Sequence, residues 1–411
     1  MQNEEKISKY TETNIEKIDV SNSCNIGFII GTFGHGRGGH FWDLKIIADK
    51  ISESQQVVIF NIGIGISPVL ETSNVKVINV PLGLCKALTT FQKAVNYYNI
   101  DKLVSIDLRV NIIPSLISKF FKIPLILVKP GGPNPGRNYP IVKELIVFSL
   151  ENFNYFKEKT SFNETLIHFL PNRSMKSEVN IQLVNEIRKC FVEETFKFVQ
   201  VIRITEEYFL NLCQSIELIR LLNDGGKSYS STLIIIGVVQ NQKVYEDIKK
   251  LAVGLPIYFF TENKYTAKAS ELLTVGDAVI ANGRSVMEGA SLGLPILVSA
   301  KNSKHPVLLK PENFKNAFKV NFSPRFEIDE IDSYEENNIL SIQDIINDAD
   351  CLAKSKGFSI RCFNDFFNID KVIVNYIDII KNSKYKGLSL WSLFLMFKIY
   401  VFSRLRIRFN R

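Results

Sequence analysis

The sequence predicts an α/β protein of two consecutive domains, each built around an open parallel sheet. Short β-branched runs alternate with longer amphipathic segments from Cys24 onward, which is the pattern of βα units. A second series of the same kind begins near Phe198, and 411 residues are enough for two or three domains. With 46% hydrophobic and 22% charged residues, disordered and low-complexity classes are excluded.

The first series follows a polar N-terminal extension, residues 1–20, and is assigned to a domain over 21–195. Its predicted strands are Asn25–Gly31, Val57–Asn61, Val75–Val80, Lys102–Ile106 and Leu125–Lys129, and its predicted helices are Phe41–Ser52, Lys86–Asn99 and Ile112–Phe121. Beyond these, Ile146–Ser149 and Leu166–Leu170 have the composition of strands, whereas Ile181–Lys197 has that of a helix.

The second series is assigned to a domain over 196–365. Its predicted strands are Phe198–Ile204, Thr232–Gly237, Ile257–Thr261, Asp277–Ala281 and Ile296–Ser299, and its predicted helices are Tyr208–Leu222, Val244–Ala252 and Ser285–Leu292. A terminal helix over 366–384 is expected to pack back on the protein, and residues 385–411 form a basic tail.

A glycine-rich loop follows the first predicted strand. It contains Gly36, Gly38 and Gly39 and opens the first helix, where exposed amides and the helix dipole favour an anion or an acceptor. A dinucleotide site would also need an acid at the end of the second strand, and Asn61 stands there. The alternative, a strand-to-helix turn without a ligand, needs only one or two glycines.

A second glycine loop follows the strand ending at Ala281. Gly283 and the amides of Arg284 and Ser285 can cradle a phosphate at the start of a helix. Glu288, one turn further, can accept hydrogen bonds from sugar hydroxyls. Ser285 and Glu288 also have the spacing of a capping box, in which the glutamate only holds the helix start.

With these two loops, the chain resembles the two-domain GT-B glycosyltransferases, which bind a nucleotide sugar in a cleft between Rossmann-like domains. The segment 277–298, DAVIANGRSVMEGASLGLPILV, is similar to the donor segment of their retaining branch. The resemblance implies that Glu288 binds the nucleotide ribose and that Gly283 and Arg284 lie by the diphosphate. It also matches Arg203 to a phosphate-binding arginine.

The chain departs from the pattern of that branch at two positions. The first of two glutamates spaced eight positions apart would fall on Ile280, and a second phosphate-binding cation is replaced by Glu206-Glu207-Tyr208. Arg284, Lys301 or Lys304 are candidate substitutes. Retention and inversion of the sugar's configuration therefore both stay open.

Sugar transfer also requires activation of an acceptor hydroxyl. Asp107, at the end of the fourth strand, is the predicted base for an inverting reaction, and His40 and His35 are its rivals because imidazole titrates near neutral pH. No metal and no other cofactor are expected. The Asp348-Ala349-Asp350 sequence is interpreted as part of a helix with solvent-facing carboxylates.

The net charge of +8 is concentrated at the C-terminus. No acid follows Asp378, while eight cations do: Lys381, Lys384, Lys386, Lys398, Arg404, Arg406, Arg408 and Arg411. This asymmetry argues against a nucleic-acid partner and for an anionic membrane surface. The apolar run Leu388–Phe402 is too short to span a bilayer, so an interfacial helix is predicted, the alternative being a helix packed on the protein or on a partner.

The sequence therefore predicts a cytoplasmic glycosyltransferase, peripheral on the inner face of the cell membrane. It would move a sugar from a nucleotide-sugar donor to a glycan or a lipid-linked oligosaccharide in surface polysaccharide biosynthesis. The absence of an apolar N-terminal leader and of paired cysteines agrees with that compartment. Two alternatives stay open: a nucleotide-sugar 2-epimerase of the same fold, and a non-catalytic subunit that recruits an active partner to the membrane.

Overall fold

The structure is a computed structural model that describes residues 23–34, 36–136, 138–191, 195–224, 230–328 and 331–409. The predicted extension 1–20, His35 and Arg411 lie outside these residues, as does the side chain of Arg408. The chain divides into two compact units. The first holds the described residues up to Asn172 and those from Ile369 onward, and the second holds Arg173–Asn368.

The first unit contains a seven-stranded parallel sheet in the order β3-β2-β1-β4-β5-β6-β7. Its strands are β1 (Asn25–Thr32), β2 (Gln56–Gly63), β3 (Lys76–Pro81), β4 (Lys102–Ser105), β5 (Leu125–Lys129), β6 (Glu144–Val147) and β7 (Leu166–Phe169). Its helices up to Asn172 are α1 (Gly39–Ile51), α2 (Pro68–Glu71), α3 (Leu84–Tyr97), α4 (Ile112–Phe121) and α5 (Leu150–Glu158).

The second unit contains a six-stranded sheet in the order β10-β9-β8-β11-β12-β13, parallel except at β13. Its strands are β8 (Phe196–Val201), β9 (Ser231–Ile236), β10 (Ile257–Phe260), β11 (Ala278–Ala281), β12 (Ile296–Val298) and β13 (Val307–Leu308). Its helices are α6 (Ile181–Arg188), α7 (Phe209–Leu222), α8 (Gln242–Leu251), α9 (Asn263–Thr266), α10 (Arg284–Ser291), α11 (Pro311–Lys319), α12 (Ile331–Asn347) and α13 (Ala349–Cys362).

The predicted fold class, α/β with two open parallel sheets, is confirmed. The central strands are continuous apolar runs because helices cover both faces of each sheet; every residue of β9 is buried, for example. In both units, a glycine at the end of the second strand lets its backbone come close to the end of the first strand. A Cβ on Gly63 would lie 2.0 Å from the carbonyl oxygen of Thr32, and one on Gly237 would lie 1.7 Å from that of Ile202.

The boundary between the units differs from the predicted position at residue 195. The first unit ends at Asn172, because the next segment bonds to the second unit. Asn180 N–H donates to the Glu271 carbonyl at 3.0 Å, and the Arg188 side chain donates to the Thr274 carbonyl at 2.6 Å. The helix predicted over 181–197 also ends early, at Arg188, since Phe196 already belongs to β8.

The end of the chain returns to the first unit. Helix α14 (Ile373–Asn382) buries Tyr376, Ile377 and Ile380 in a core cluster that includes residues of α1. Just after this helix, the Ser383 carbonyl accepts a hydrogen bond from Lys102 Nζ at 2.7 Å. The second crossing between the units therefore comes after Asn368, three residues beyond the predicted position.

The basic tail forms helix α15 (Leu390–Phe409), and one face of it is docked. Leu393, Met396 and Tyr400 are buried in a core cluster of the first unit. Asn111, which precedes α4, and Ser115 within it donate to the Met396 sulfur at 3.6 and 3.1 Å. The Tyr400 hydroxyl donates to the Leu82 carbonyl. No helix in the described part of the chain, α15 included, is apolar over a length sufficient to cross a membrane.

We expect Met396→Ala to lower the free energy of unfolding of the first unit by about 2–5 kcal/mol, because it leaves a cavity under α15. Urea unfolding followed by tryptophan fluorescence measures this, since the two tryptophans, Trp42 and Trp391, both lie in the first unit. Phe402→Ala, on the exposed face of the same helix, is the matched control and should change stability by less than about 0.5 kcal/mol. Equal, small effects of both variants would contradict the docking of α15.

Candidate functional site

The turn between β11 and α10 is shaped by Gly283. This residue has φ +55° and ψ −118°, a conformation that only glycine adopts without strain. Its amide donates to the Phe322 carbonyl at 2.8 Å, so it is engaged within the second unit. A Cβ at Gly283 would meet no atom within 4 Å, which means that the backbone of this turn is open to approach.

Glu288 lies one turn into α10 and is paired with Arg284. The Arg284 Nε–Glu288 Oε1 distance is 2.8 Å, and the two side chains are only 13% and 12% exposed. Burial raises the pKa of the Glu288 carboxyl, and the charge and hydrogen bond of Arg284 act in the opposite direction. The site thus contains a nearly buried carboxylate with one guanidinium as its counter-charge.

The capping-box alternative for Glu288 is wrong. Gly283, not Ser285, is the N-cap of α10, and no side chain caps this helix. The Glu288 carboxylate accepts its hydrogen bond from Arg284 instead. The glutamate is therefore not needed to start the helix, which leaves its remaining oxygen for another role.

Helix α10 is held tightly against its surroundings. A Cβ on Gly289 would lie 2.5 Å from a methyl group of Val279 in β11, so a glycine is needed for this close packing. On the other side, Arg284 Nη2 lies 3.4 Å from Ser174 Oγ, and Ser177 N–H donates to Ser291 Oγ at 3.0 Å. The segment just after Asn172 therefore fixes both ends of α10.

Ile280, which the resemblance aligns with a first glutamate, is fully buried within β11. A side chain at this strand position is surrounded by the sheet and its covering helices, so it does not reach a ligand. Any contact to a donor sugar would have to come from other residues. The position at which the retaining branch carries its first glutamate is therefore, in this chain, a buried core position.

The predicted phosphate-binding cations have partners on the surface. Arg203 follows β8, donates to the Tyr208 hydroxyl at 3.1 Å and lies 3.7 Å from Glu207. Lys301 and Lys304 are exposed and pair with Glu327 and Glu335. Because β8 and β11 are neighbouring parallel strands, Arg203 and Gly283 lie at the same edge of the sheet.

In the first unit, the glycine loop runs from β1 to α1. Gly36 has φ +62° and packs on Ser67, whose hydroxyl donates to the Gly36 carbonyl at 2.5 Å. A Cβ on Gly38 would come within 2.9 Å of the His40 ring, whereas one on Gly39 would meet nothing within 4 Å. Packing therefore explains Gly36 but not Gly39.

Asp107 lies beside this loop, with a carboxylate oxygen 2.8 Å from the position of a Cβ on Gly31. Both of its oxygens accept hydrogen bonds from the Arg109 side chain, at 2.6 to 3.1 Å. The Arg109 guanidinium in turn lies 4.5 Å from the centre of the Phe33 ring. The predicted base is thus buried and held in a bidentate ion pair that fixes the start of the loop.

The two aspartates at 348 and 350 have a structural explanation. Helix α13 begins at Ala349, and the Asp348 carboxylate is its N-cap, accepting from the amides of Asp350 and Cys351. These bonds lower the pKa of Asp348. Asp348 therefore lies between α12 and α13, and not inside one helix as expected. Within the described ranges, no three His, Cys, Asp or Glu side chains are grouped to hold a metal ion.

The sequence matches no protein-family model, and no curated protein matches it. Solved structures do share its architecture. The Anabaena protein HepE, in complex with UDP and glucose, is 14% identical with a TM-score of 0.61, over 87% of this chain and 100% of HepE. A glycosyltransferase from Rickettsia africae is 13% identical with a TM-score of 0.64, over 88% of this chain and 100% of that chain.

The chain has the GT-B fold. A further GT-B neighbour is a candidate UDP-N-acetylglucosamine 2-epimerase from Listeria monocytogenes, which is 13% identical with a TM-score of 0.56, over 87% of this chain and 95% of that chain. The architecture is therefore shared by a glycosyltransferase and a candidate epimerase, and the fold does not choose between these activities. The side chains of this chain have to supply the rest of the argument.

Within the second unit, the structure brings Gly283, Arg284, Ser285 and Glu288 together at the N-cap and in the first two turns of α10. The sequence does not indicate two contacts of this site, those to the Phe322 carbonyl and to the Ser174 hydroxyl. Both residues are distant in the sequence, and no local pattern links them to α10. The Arg284–Glu288 pair was also missed, although its i,i+4 spacing could have indicated it.

Gly283→Ala is expected to cost about 1–3 kcal/mol of stability, because alanine is strained at this backbone conformation. Scanning calorimetry of the second unit's transition measures the loss. The control is Gly357→Ala in α13, where a Cβ meets only an arginine side-chain end at 3.5 Å and where alanine favours the helix. A Gly283→Ala protein as stable as wild type would show that the turn can relax.

Proposed function

We propose that this GT-B protein is a glycosyltransferase that moves a sugar from a nucleotide-sugar donor to a glycan or a lipid-linked oligosaccharide. The observation that carries the proposal is the nearly buried Glu288 carboxylate, one turn beyond the open turn at Gly283. A carboxylate that is neither a helix cap nor exposed to solvent needs a reason to be there. Accepting hydrogen bonds from the two ribose hydroxyls of a nucleotide is such a reason.

The N-terminus of α10 suits the negative end of the same ligand. First-turn amides and the helix dipole stabilise phosphate oxygens, and the approach at Gly283 is not blocked by a side chain. Arg203, at the same edge of the sheet, adds a cation 46% exposed. Stabilising the leaving diphosphate in this way needs no metal ion, and we propose that none is used.

For the acceptor side, the proposal rests on the first unit. Gly39 and His40 begin α1, where an acceptor could approach the backbone. Asp107 would act as a base only if Arg109 released one of its oxygens. His40 is the second candidate for this proton transfer in an inverting reaction.

The donor site is tested by titrating the protein calorimetrically with UDP, GDP and their sugar conjugates. We expect one nucleotide class to bind, and Glu288→Gln to weaken it at least tenfold, or about 1.4 kcal/mol, because an amide is a poorer acceptor for two hydroxyls. Glu217→Gln is the matched control, since Glu217 also pairs with an arginine of its own helix, but on the exposed side of α7. If none of these nucleotides binds the folded protein, the result would favour a non-catalytic subunit.

A 2-epimerase is the second candidate, favoured by the structural likeness to the Listeria protein. The two activities differ in one observable. An epimerase converts the bound nucleotide sugar without an acceptor, whereas a transferase releases the nucleotide only when an acceptor is present. Product analysis after incubation with the donor alone separates them.

We also propose that the protein associates peripherally with an anionic membrane on the cytoplasmic side, through the exposed face of α15. Opposite its docked side, the helix presents large apolar side chains, with Trp391 and Phe402 each 59% and Phe394 53% exposed. The described cations on the exposed side are Lys398, Arg404 and Arg406. Aromatic and basic residues together are typical of interfacial helices, and each cation near anionic lipid contributes about 1 kcal/mol.

The end of α4 extends this character to a second element. Lys119, Phe120 and Phe121 at its end and Lys122 just after it are all exposed. Lys122 Nζ lies 5.1 Å from the ring of Tyr385, which precedes α15. The exposed face of α15 and the end of α4 would together place the first unit, which is proposed to bind the acceptor, against the lipid surface. A lipid-linked acceptor in surface polysaccharide assembly agrees with that position.

Sedimentation with vesicles tests the membrane proposal. The protein should bind vesicles rich in phosphatidylglycerol more than vesicles of phosphatidylcholine alone, and binding should fall as salt screens the charges. The double variant Trp391→Ser and Phe394→Ser should lose most of the binding, because it removes the apolar contact. The control is Leu210→Ser with Val253→Ser, two exposed apolar residues of the second unit. Equal loss in both double variants would contradict a specific role for α15.

A further inference from the structure

The ion pair of Arg284 and Glu288 has a second consequence, which rests on the donor site proposed above. Both residues are in the first two turns of α10, and their contact at 2.8 Å is almost completely shielded from water. A carboxylate in such surroundings is stable as an ion only with a partner, because desolvation penalises the charged form. Removing the guanidinium would leave the carboxyl group buried without that partner.

The resemblance implied a different role for Arg284, beside the diphosphate. In the structure, its Nε is committed to Glu288 and its Nη2 lies 3.4 Å from Ser174 Oγ. Two of its donors are thus directed to side chains of the second unit. Arg284 bonds to Oε1 of Glu288, so the second oxygen, Oε2, is the one left to accept further hydrogen bonds. The helix does not need Oε2 as a cap.

We propose that Arg284 is a positioning residue, which holds Glu288 through Oε1 so that an ionised carboxylate presents Oε2 to the ribose hydroxyls of the donor. In this role the arginine acts through the glutamate and does not touch the phosphates. Its loss changes nucleotide affinity by changing the protonation and the orientation of Glu288.

Other charges near α10 do not replace Arg284. Packed against the helix are the 3₁₀ segment Ala269–Val275, β11, β12, α13 and the π-helical turn Phe363–Phe367. The segment 173–177 also contacts both ends of the helix. The ionisable side chains of all these parts are Arg173, Lys176, Glu271, Asp350, Cys351, Lys354, Lys356, Arg361, Cys362 and Asp365. Among the described residues, Arg284 is the one whose charge acts on the pKa of Glu288.

The pH dependence follows from the direction of these effects. Burial already raises the pKa of Glu288, and Arg284 lowers it. In Arg284→Met the pKa rises further, so the carboxyl holds its proton to a higher pH than in wild type and ionises as the pH increases. A native carboxyl with a raised pKa also makes stability decrease as pH rises through the window between its unfolded and folded pKa values.

The experiment measures binding of UDP, UMP and 2′,3′-dideoxy-UDP to wild type and Arg284→Met between about pH 6 and pH 9, with the guanosine series used if wild type binds GDP instead. We expect the variant to bind UDP at least about tenfold more weakly at the low end and to recover toward the high end. The loss should be equal for UMP and UDP and absent for the dideoxy nucleotide. A loss that is greater for UDP than for UMP and constant with pH would make Arg284 a phosphate ligand and overturn the proposal.

Two further variants complete the test. Arg284→Lys should recover part of the affinity, because lysine can pair with a glutamate at i,i+4. Arg220→Met, which removes the arginine of the exposed Glu217–Arg220 pair, should change neither affinity nor its pH dependence. Without nucleotide, the melting temperature of Arg284→Met should fall relative to wild type as the pH rises, and a parallel pH profile would overturn the proposed charge effect. If wild type binds no nucleotide at all, the proposed function fails together with this inference.

Discussion

The burial of parallel strands on both faces is the constraint on which the rest of this structure depends. Helices cover both sides of each sheet, so strands such as β9 and β11 consist of buried residues from end to end. Few polar side chains fit inside such a layer without losing hydration. Chemistry is therefore confined to the edges where strands end and helices begin, which is where the glycine loops, Asp107 and Glu288 lie.

At those edges, each unit has a shielded carboxylate that is paired with an arginine, but the two pairs differ in geometry. In the first unit, the Asp107 carboxylate is neutralised by a bidentate arginine two residues later, and the pair stabilises the loop after β1. In the second unit, the arginine of the pair leaves part of the Glu288 carboxylate available. The two arginines therefore differ in the number of oxygens they engage: Arg109 engages both oxygens of Asp107, whereas Arg284 engages Oε1 of Glu288.

Helix α15 shows how a short apolar segment can be docked on one face and still present apolar side chains on the other. A residue every three or four positions, including Met396 and Tyr400, packs on the first unit, while the positions between them keep aromatic rings at the surface. Docking one face pre-orders the helix, so the proposed contact with a membrane would not have to bear the entropy of forming it. The sequence alternatives of an interfacial helix and a helix packed on the protein are therefore compatible.

The sequence by itself determined the α/β class, the order of most strands and the position of both glycine loops, because these depend on local periodicity and on glycine. Ile280 and Asn61 also showed directly which familiar site residues are missing. Only the tertiary structure decided the unit boundary at Asn172, the capping of α10 by Gly283 and the docking of α15. Each of these depends on partners such as Glu271, Phe322 and Leu82, which are distant in the chain, and pairwise contacts at such separations leave no pattern in a single sequence.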